Sequence, residues 1–239
     1  MIGIKTFEVV REHCPEGVLF HWRCELREAT ELLFVPEPCY ELIVAASGQL
    51  VLPQAHLSMP RYVYRNPGSQ TFRLQTMSRV ELFGTRFSMD STYGSQLMNP
   101  IAILAERFDA YANFEDYVQQ VNKRVIAHVP RTAPESLGFS DRTLRRNFKK
   151  RYGISSRALA RLQKINAYMA SECQTVTRPI MSGSIDYARY YDQPHFIRTF
   201  RQVVGMTPKE FFAVFDGLPE QLLAASYNYN HHRIDTLQK

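Results

Sequence analysis

The stretch YYDQPHFIRTFRQVVGMTPKEFF, Tyr190 to Phe212, decides how the rest of the chain is read. Asp192 is a good helix N-cap, Pro194 suits the first helical turn, and Gly205 closes the helix by admitting a left-handed backbone. Phe196 and Phe200 stand four residues apart and so share one face, which is expected to point inward. Gln193, His195, Arg198 and Arg201 fall on the opposite face. Thr207-Pro208-Lys209-Glu210 has the form of a capping box with proline at the first helical position, and it starts a second helix directly behind the first.

The same design occurs earlier, in LGFSDRTLRRNFKKRYG, Leu137 to Gly153. At a constant offset of 52 residues Leu144 matches Phe196, Arg146 matches Arg198, Phe148 matches Phe200 and Gly153 matches Gly205. A shared spacing of this kind implies two copies of one small unit. In the first copy, with Ser140 as N-cap, the outer face presents Arg142, Arg145, Arg146 and Lys149. Arginine and glutamine make bidentate hydrogen bonds to guanine and adenine edges in the major groove, each worth roughly 1 to 3 kcal/mol of discrimination. One such helix is an ordinary amphipathic helix. Two with the same polar geometry point to a pair of recognition helices.

Between the copies, Ser155 to Ser171 carries an apolar stripe of Leu159, Leu162, Ile165 and Met169, with Arg157, Arg161 and Lys164 on the other side. A helix there is about 25 Å long at about 1.5 Å per residue. Such a rod suits two reading heads set near the ~34 Å spacing of successive major grooves on one DNA face. Its basic residues, with Lys149 and Arg201, are candidates for phosphate contact.

Charge supports this reading. Residues 1–130 hold 12 Lys and Arg against 14 Asp and Glu, net −2; residues 131–213 hold 15 against 6, net +9; residues 214–239 hold 2 against 3, net −1. The positive excess is confined to one block. Neutralising phosphates from such a block releases condensed counterions, which favours a polyanion partner.

From about Thr6 to Ser88 the chain reads as short strands, such as YELIVA (Tyr40 to Ala45) and QLVL (Gln49 to Leu52). Turn signals divide them at Val35-Pro36-Glu37-Pro38, Ser47-Gly48 and Asn66-Pro67-Gly68, so an all-β sandwich or barrel is expected. Phe114 to His128 then places Phe114, Tyr117, Val118, Val121 and Val125 on one helical stripe, suited either to packing on the β domain or to an antiparallel dimer seam. Pro130 and Pro134 end that helix and mark the domain boundary.

At these residues the C-terminal half, roughly Thr132 to Phe212, resembles the AraC/XylS family of bacterial transcription factors. The Tyr190 to Phe212 stretch is the most specific part of the likeness. The residue patterns and the resemblance together give an α+β chain: an N-terminal cupin-like β-barrel or sandwich for sensing or dimerisation with a linker helix (1–128), an all-α domain with two helix-turn-helix units joined by a long helix (129–215), and, from its polar and aperiodic composition, a tail expected to be mobile (216–239). By the resemblance, Arg142, Arg145 and Arg146 read bases in the first half-site, and Gln193, His195 and Arg198 in the second. It implies a regulator of nearby promoters, usually an activator, with double-stranded DNA and RNA polymerase as partners, an N-terminal small-molecule effector and a homodimer as further expectations; a cytoplasmic location is expected from the lack of a long apolar stretch in MIGIKTFEVV and elsewhere. Two departures stand out. Pro130 and Pro134 shorten the helix before the first recognition helix, and Met181-Ser182-Gly183-Ser184 with Arg189 replaces good helix formers and a turn glycine before the second. They motivate an alternative, a protein-interaction module with degenerate DNA binding that pairs with another regulator.

Other function classes find less support. No apolar run approaches the roughly 18 residues of a membrane span. Cys14, Cys24, Cys39 and Cys173 form no C-x-x-C pair and are expected to be reduced, buried small side chains. With His13, His21 and His56 they match no zinc spacing, so neither a metal nor another cofactor is expected. No Ser/His/Asp set, paired carboxylates or alkyl-acceptor cysteine cluster stands out, and the chain is expected not to be an enzyme.

Overall fold

The structure is a computed structural model that describes residues 4–27, 30–52, 57–58, 61–97, 111–127, 141–174 and 193–215. Among them are nine strands, β1 (Ile4–Val10), β2 (Val18–Leu26), β3 (Glu31–Phe34), β4 (Tyr40–Ser47), β5 (Leu50–Leu52), β6 (Leu57–Ser58), β7 (Tyr62–Arg65), β8 (Phe72–Thr76) and β9 (Val80–Phe87). Six helices accompany them: α1 (Thr92–Gln96), α2 (Phe114–Ala127), α3 (Asp141–Tyr152), α4 (Ser156–Gln174), α5 (Gln193–Val204) and α6 (Pro208–Phe215). The chain forms two compact units, Gly3–Leu159 and Ala160–Lys239, so that α4 starts in one and continues into the other. The boundary expected at 128/129 and the tail 216–239 lie outside the described residues.

The strands form a two-layer antiparallel sandwich, in the orders β1-β2-β9-β4-β7 and β3-β8-β5-β6. Turn chemistry breaks the strands where the sequence places its turns, and both of the following turns carry the chain from one sheet to the other. Gly48 (φ 79°) joins β4 to β5, and Gly68 (φ 69°) follows β7, where the Ser69 amide donates to the Asn66 carbonyl at 3.0 Å. These backbone angles are in the left-handed region that glycine adopts without steric cost.

Strand alternation gives the five-stranded sheet two buried faces of different character. On one, Tyr40, Leu42, Val44, Phe83 and Phe87 pack beneath Tyr93 of α1 and Phe114, Tyr117, Val121 and Val125 of α2. The apolar stripe of α2 is therefore used on its own sheet, and its outward residues include Glu115, Gln119, Lys123 and Ile126. His21 fixes this contact. Its Nε2 lies 2.9 Å from Asn122 Oδ1 on α2 and its Nδ1 lies 2.8 Å from Thr85 Oγ1, which in turn lies 2.7 Å from the Tyr117 hydroxyl. A neutral imidazole donating from Nε2 satisfies the whole chain of contacts. Burial accordingly lowers the His21 pKa to about 4, against a smaller opposing effect of Asn122.

The other face holds a charged cluster. Cross-strand register aligns Arg65, Glu41 and Arg86 in one row. Glu41 accepts from Arg65 Nη1 at 2.6 Å, Arg86 Nε at 2.8 Å and Trp22 Nε1 at 3.2 Å, while Arg86 also pairs with Glu37. Burial opposes the Glu41 charge, but Arg86 and Arg65 together outweigh it and hold its carboxyl below the usual range. The Arg65 guanidinium lies 5.3 Å from the ring centres of both Phe34 and Phe72, the stacked pair of the facing sheet. Trp22 reaches Glu41 across Gly84, where a Cβ would come within 1.9 Å of the indole.

Cys24 and Cys39 are buried and Cys14 half-buried, all with free thiols, and burial pushes Cys24 up to about 12. Among the described residues no three His, Cys, Asp or Glu side chains are grouped to hold a metal ion. No described helix is long and apolar enough to cross a membrane.

Candidate nucleic-acid interface

The quasi-repeat at 52 residues is a repeat of backbone structure. α3 and α5 are both 12 residues long and begin and end at matching positions. Each is closed by a glycine with positive φ, Gly153 at 72° and Gly205 at 87°. Each of these amides donates to the carbonyl four residues back, Lys149 and Arg201 respectively, at 2.9 Å. Three residues separate each helix from the next, and the last of the three is an N-cap. Ser155 Oγ accepts from the Ala158 amide at 3.2 Å, and Thr207 Oγ1 accepts from the Glu210 amide at 3.3 Å. The second cap is the expected box: Glu210 Oε2 accepts from the Thr207 amide at 2.7 Å and from its hydroxyl at 2.8 Å.

The two helices differ in how they are anchored. α5 buries Phe196, Thr199, Phe200 and Val204. Tyr168 of α4 meets Phe196 edge-on at 4.6 Å, and Phe200 meets Phe211 of α6 at 5.6 Å. In α3, Phe148 and Tyr152 are only half-buried, with ring centres 4.6 Å apart. Tyr152 extends beyond the helix, and its hydroxyl donates to Asp90 Oδ1 at 2.7 Å. Burial and the Asp90 bond together push this phenol up to about 12.

Every residue singled out from the sequence for base or phosphate contact is exposed: Arg142, Arg145, Arg146 and Lys149 on α3, Arg157, Arg161 and Lys164 on α4, and Gln193, His195, Arg198 and Arg201 on α5. The α4 stripe is as expected, with Leu162, Ile165 and Met169 buried and Leu159 half-buried. Pro194 is the second residue of α5, within the first turn where it was placed. Ser140, Asp192, Pro130, Pro134, Met181 to Ser184 and Arg189, together with the side chain of Leu144, lie outside the described residues, as do the helices expected ahead of α3 and α5.

Sequence reading passed over three exposed side chains. Lys150 and Arg151 extend the basic surface of α3, and Ile197 interrupts the polar surface of α5 at 36% exposure. The signal was available in each case, since helical periodicity alone assigns Ile197 to the edge of the outer face.

The sequence matches no family model and no curated protein. Among solved structures, the chain is similar to ToxT from Vibrio cholerae O395, with 12% identity and a TM-score of 0.40 over 90% of this chain and 100% of that one. It is also similar to a cupin domain of an XRE family transcriptional regulator from Enterobacter cloacae, at 12% identity and a TM-score of 0.29 over 36% of this chain and 96% of that one. A third similar structure is an RmlC-like cupin protein from Desulfovibrio desulfuricans, at 16% identity and a TM-score of 0.26 over 34% and 80% of the two chains.

Proposed function

We propose that this chain is a sequence-specific DNA-binding transcription regulator of the AraC/XylS type, using the outer faces of α3 and α5 to read two adjacent major-groove half-sites. The observation that carries the reading is the doubled helix, glycine, cap and helix at one offset, with Arg145, Arg146 and Arg198 exposed on the corresponding faces. A single basic amphipathic helix has many uses. Two copies that share their closing glycines and caps, within the one block carrying net positive charge, match a protein that contacts a periodic polyanion twice. In this reading Arg142, Arg145, Arg146, Gln193, His195 and Arg198 face base edges, and Lys149, Arg157, Arg161, Lys164 and Arg201 face phosphates. No chemistry on a substrate is involved.

Regulation belongs to the β unit in this reading. A small-molecule effector is expected in that unit, whose interior also carries the buried cluster of Glu37, Glu41, Arg65 and Arg86. Activation through RNA polymerase is the expected output.

The test is binding of the full chain to promoter fragments across a salt series, with footprinting. The log of the affinity is expected to fall linearly as log salt rises. Arg145→Ala and Arg198→Ala are expected to relax base preference in different half-sites, each by about 1 to 3 kcal/mol. Full affinity and unchanged preference in both variants would refute the reading. So would a stable complex with another regulator combined with no footprint on any DNA.

A further inference from the structure

We infer that Ile197 recognises the C5-methyl group of a thymine in the half-site addressed by α5, at the helical position where α3 carries Arg145. The inference rests on the DNA-reading function proposed above and adds a specificity-determining residue to it.

Ile197 is one of three exposed large hydrophobic residues among those described, and the one that stands on a proposed reading face. It lies one turn after Gln193 and one turn before Arg201, between a group assigned to a base and a group assigned to a phosphate. Arg198 is its neighbour on the outer face. A residue in that row, flanked on both sides by groups that reach DNA, must itself approach the groove.

The repeat gives the position its meaning. Ile197 and Arg145 are 52 residues apart, the offset that pairs the closing glycines and the caps. Both are exposed on helices of identical length. One position therefore carries a guanidinium fork in the first head and a branched aliphatic group in the second. The fork suits guanine O6 and N7. A sec-butyl group forms no hydrogen bond, and the apolar feature that the major groove presents is the thymine methyl. Covering that methyl also removes Ile197 from water, so the contact favours thymine through burial and not through polar pairing.

Deoxyuridine in place of thymidine tests this directly, because it deletes the methyl and keeps every hydrogen-bonding edge. The full chain is used to enrich its preferred site from a random duplex pool. Each thymine of that site is then replaced singly by deoxyuridine and the dissociation constant measured. The wild type is expected to lose about fourfold at one position in one half-site, the effect of roughly one buried methyl. Ile197→Ala should bind that site more weakly and be indifferent to the same replacement, while Arg198→Ala should keep its sensitivity. Ile197→Arg should move the preference at that position from thymine to guanine. Because the side chain is partly exposed, the variants are expected to keep the wild-type melting profile, which is recorded alongside.

Wild-type protein that binds its enriched site yet ignores every deoxyuridine would overturn the inference and leave the DNA reading intact. Unaltered deoxyuridine sensitivity in Ile197→Ala would do the same. Failure to enrich any sequence would overturn both, and an Ile197→Ala defect confined to RNA polymerase binding would assign the side chain to a protein surface instead.

Discussion

α3 and α5 share a length, a closing glycine and a capped successor, yet their side chains divide the work differently. α3 carries six basic residues against one acidic one and, among its described side chains, packs through two half-buried rings. α5 has two arginines and one histidine outside and four buried residues inside. The backbone plan thus fixes where a side chain is presented, while charge density and anchoring vary independently. In the proposed function the first head contributes more to affinity, through counterion release, and the second more to discrimination, through a smaller set of firmly held groups.

The largest expected effect separates the two by their anchors. Phe200→Ala should destabilise the unit containing α5 by about 3–5 kcal/mol, because the ring is fully enclosed. Phe148→Ala, at the matching position of α3, should cost markedly less. Hydrogen exchange resolved along the chain measures both, and equal losses would abolish the contrast. The next effect uses acid. α3 belongs to the compact unit that contains His21, whose pKa is lowered from 6.5 to about 4 in the folded state. The neutral imidazole is favoured on folding, so its contribution is complete above pH 6.5 and lost as pH falls toward 4. The loss is up to about 3 kcal/mol by linkage. His21→Gln should flatten the stability of that unit across this interval; an identical pH curve in variant and wild type would remove His21 as the cause. The smallest effect lies in the caps. Thr207→Ala should cost about 1 kcal/mol in thermal melts. Ser155→Ala should cost less, since position 158 is alanine and returns no carboxylate to its cap.

Local chemistry made the helical half legible. The stop of α5 at Gly205, the α4 stripe and the Thr207 box all follow from residues within one or two turns of each other. The turns at Gly48 and Gly68 were visible for the same reason. What the sequence concealed depends on pairing between distant strands. Glu41, Arg65 and Arg86 are 24 and 45 residues apart and become neighbours only through sheet register, which no local pattern states. The use of the α2 stripe was similarly open, since an apolar stripe does not name its partner. Ile197 is a different case: on the charged outer face of α5 it is the apolar residue, so a pattern built from charge does not include it.

The Tyr152 to Asp90 hydrogen bond joins the last residue of α3 to the turn that follows β9, itself tied down by Ser88 to Gly17 and by Ser91 to Ser88. A phenol held near pH 12 remains a donor throughout the range in which cells live. α3 is thus moored at its trailing end while its leading turns, with Arg142 and Arg145, lie farthest from the mooring. In the proposed function, a shift at residue 90 would be carried through this polar tether and along the rod of α3 to those two guanidiniums.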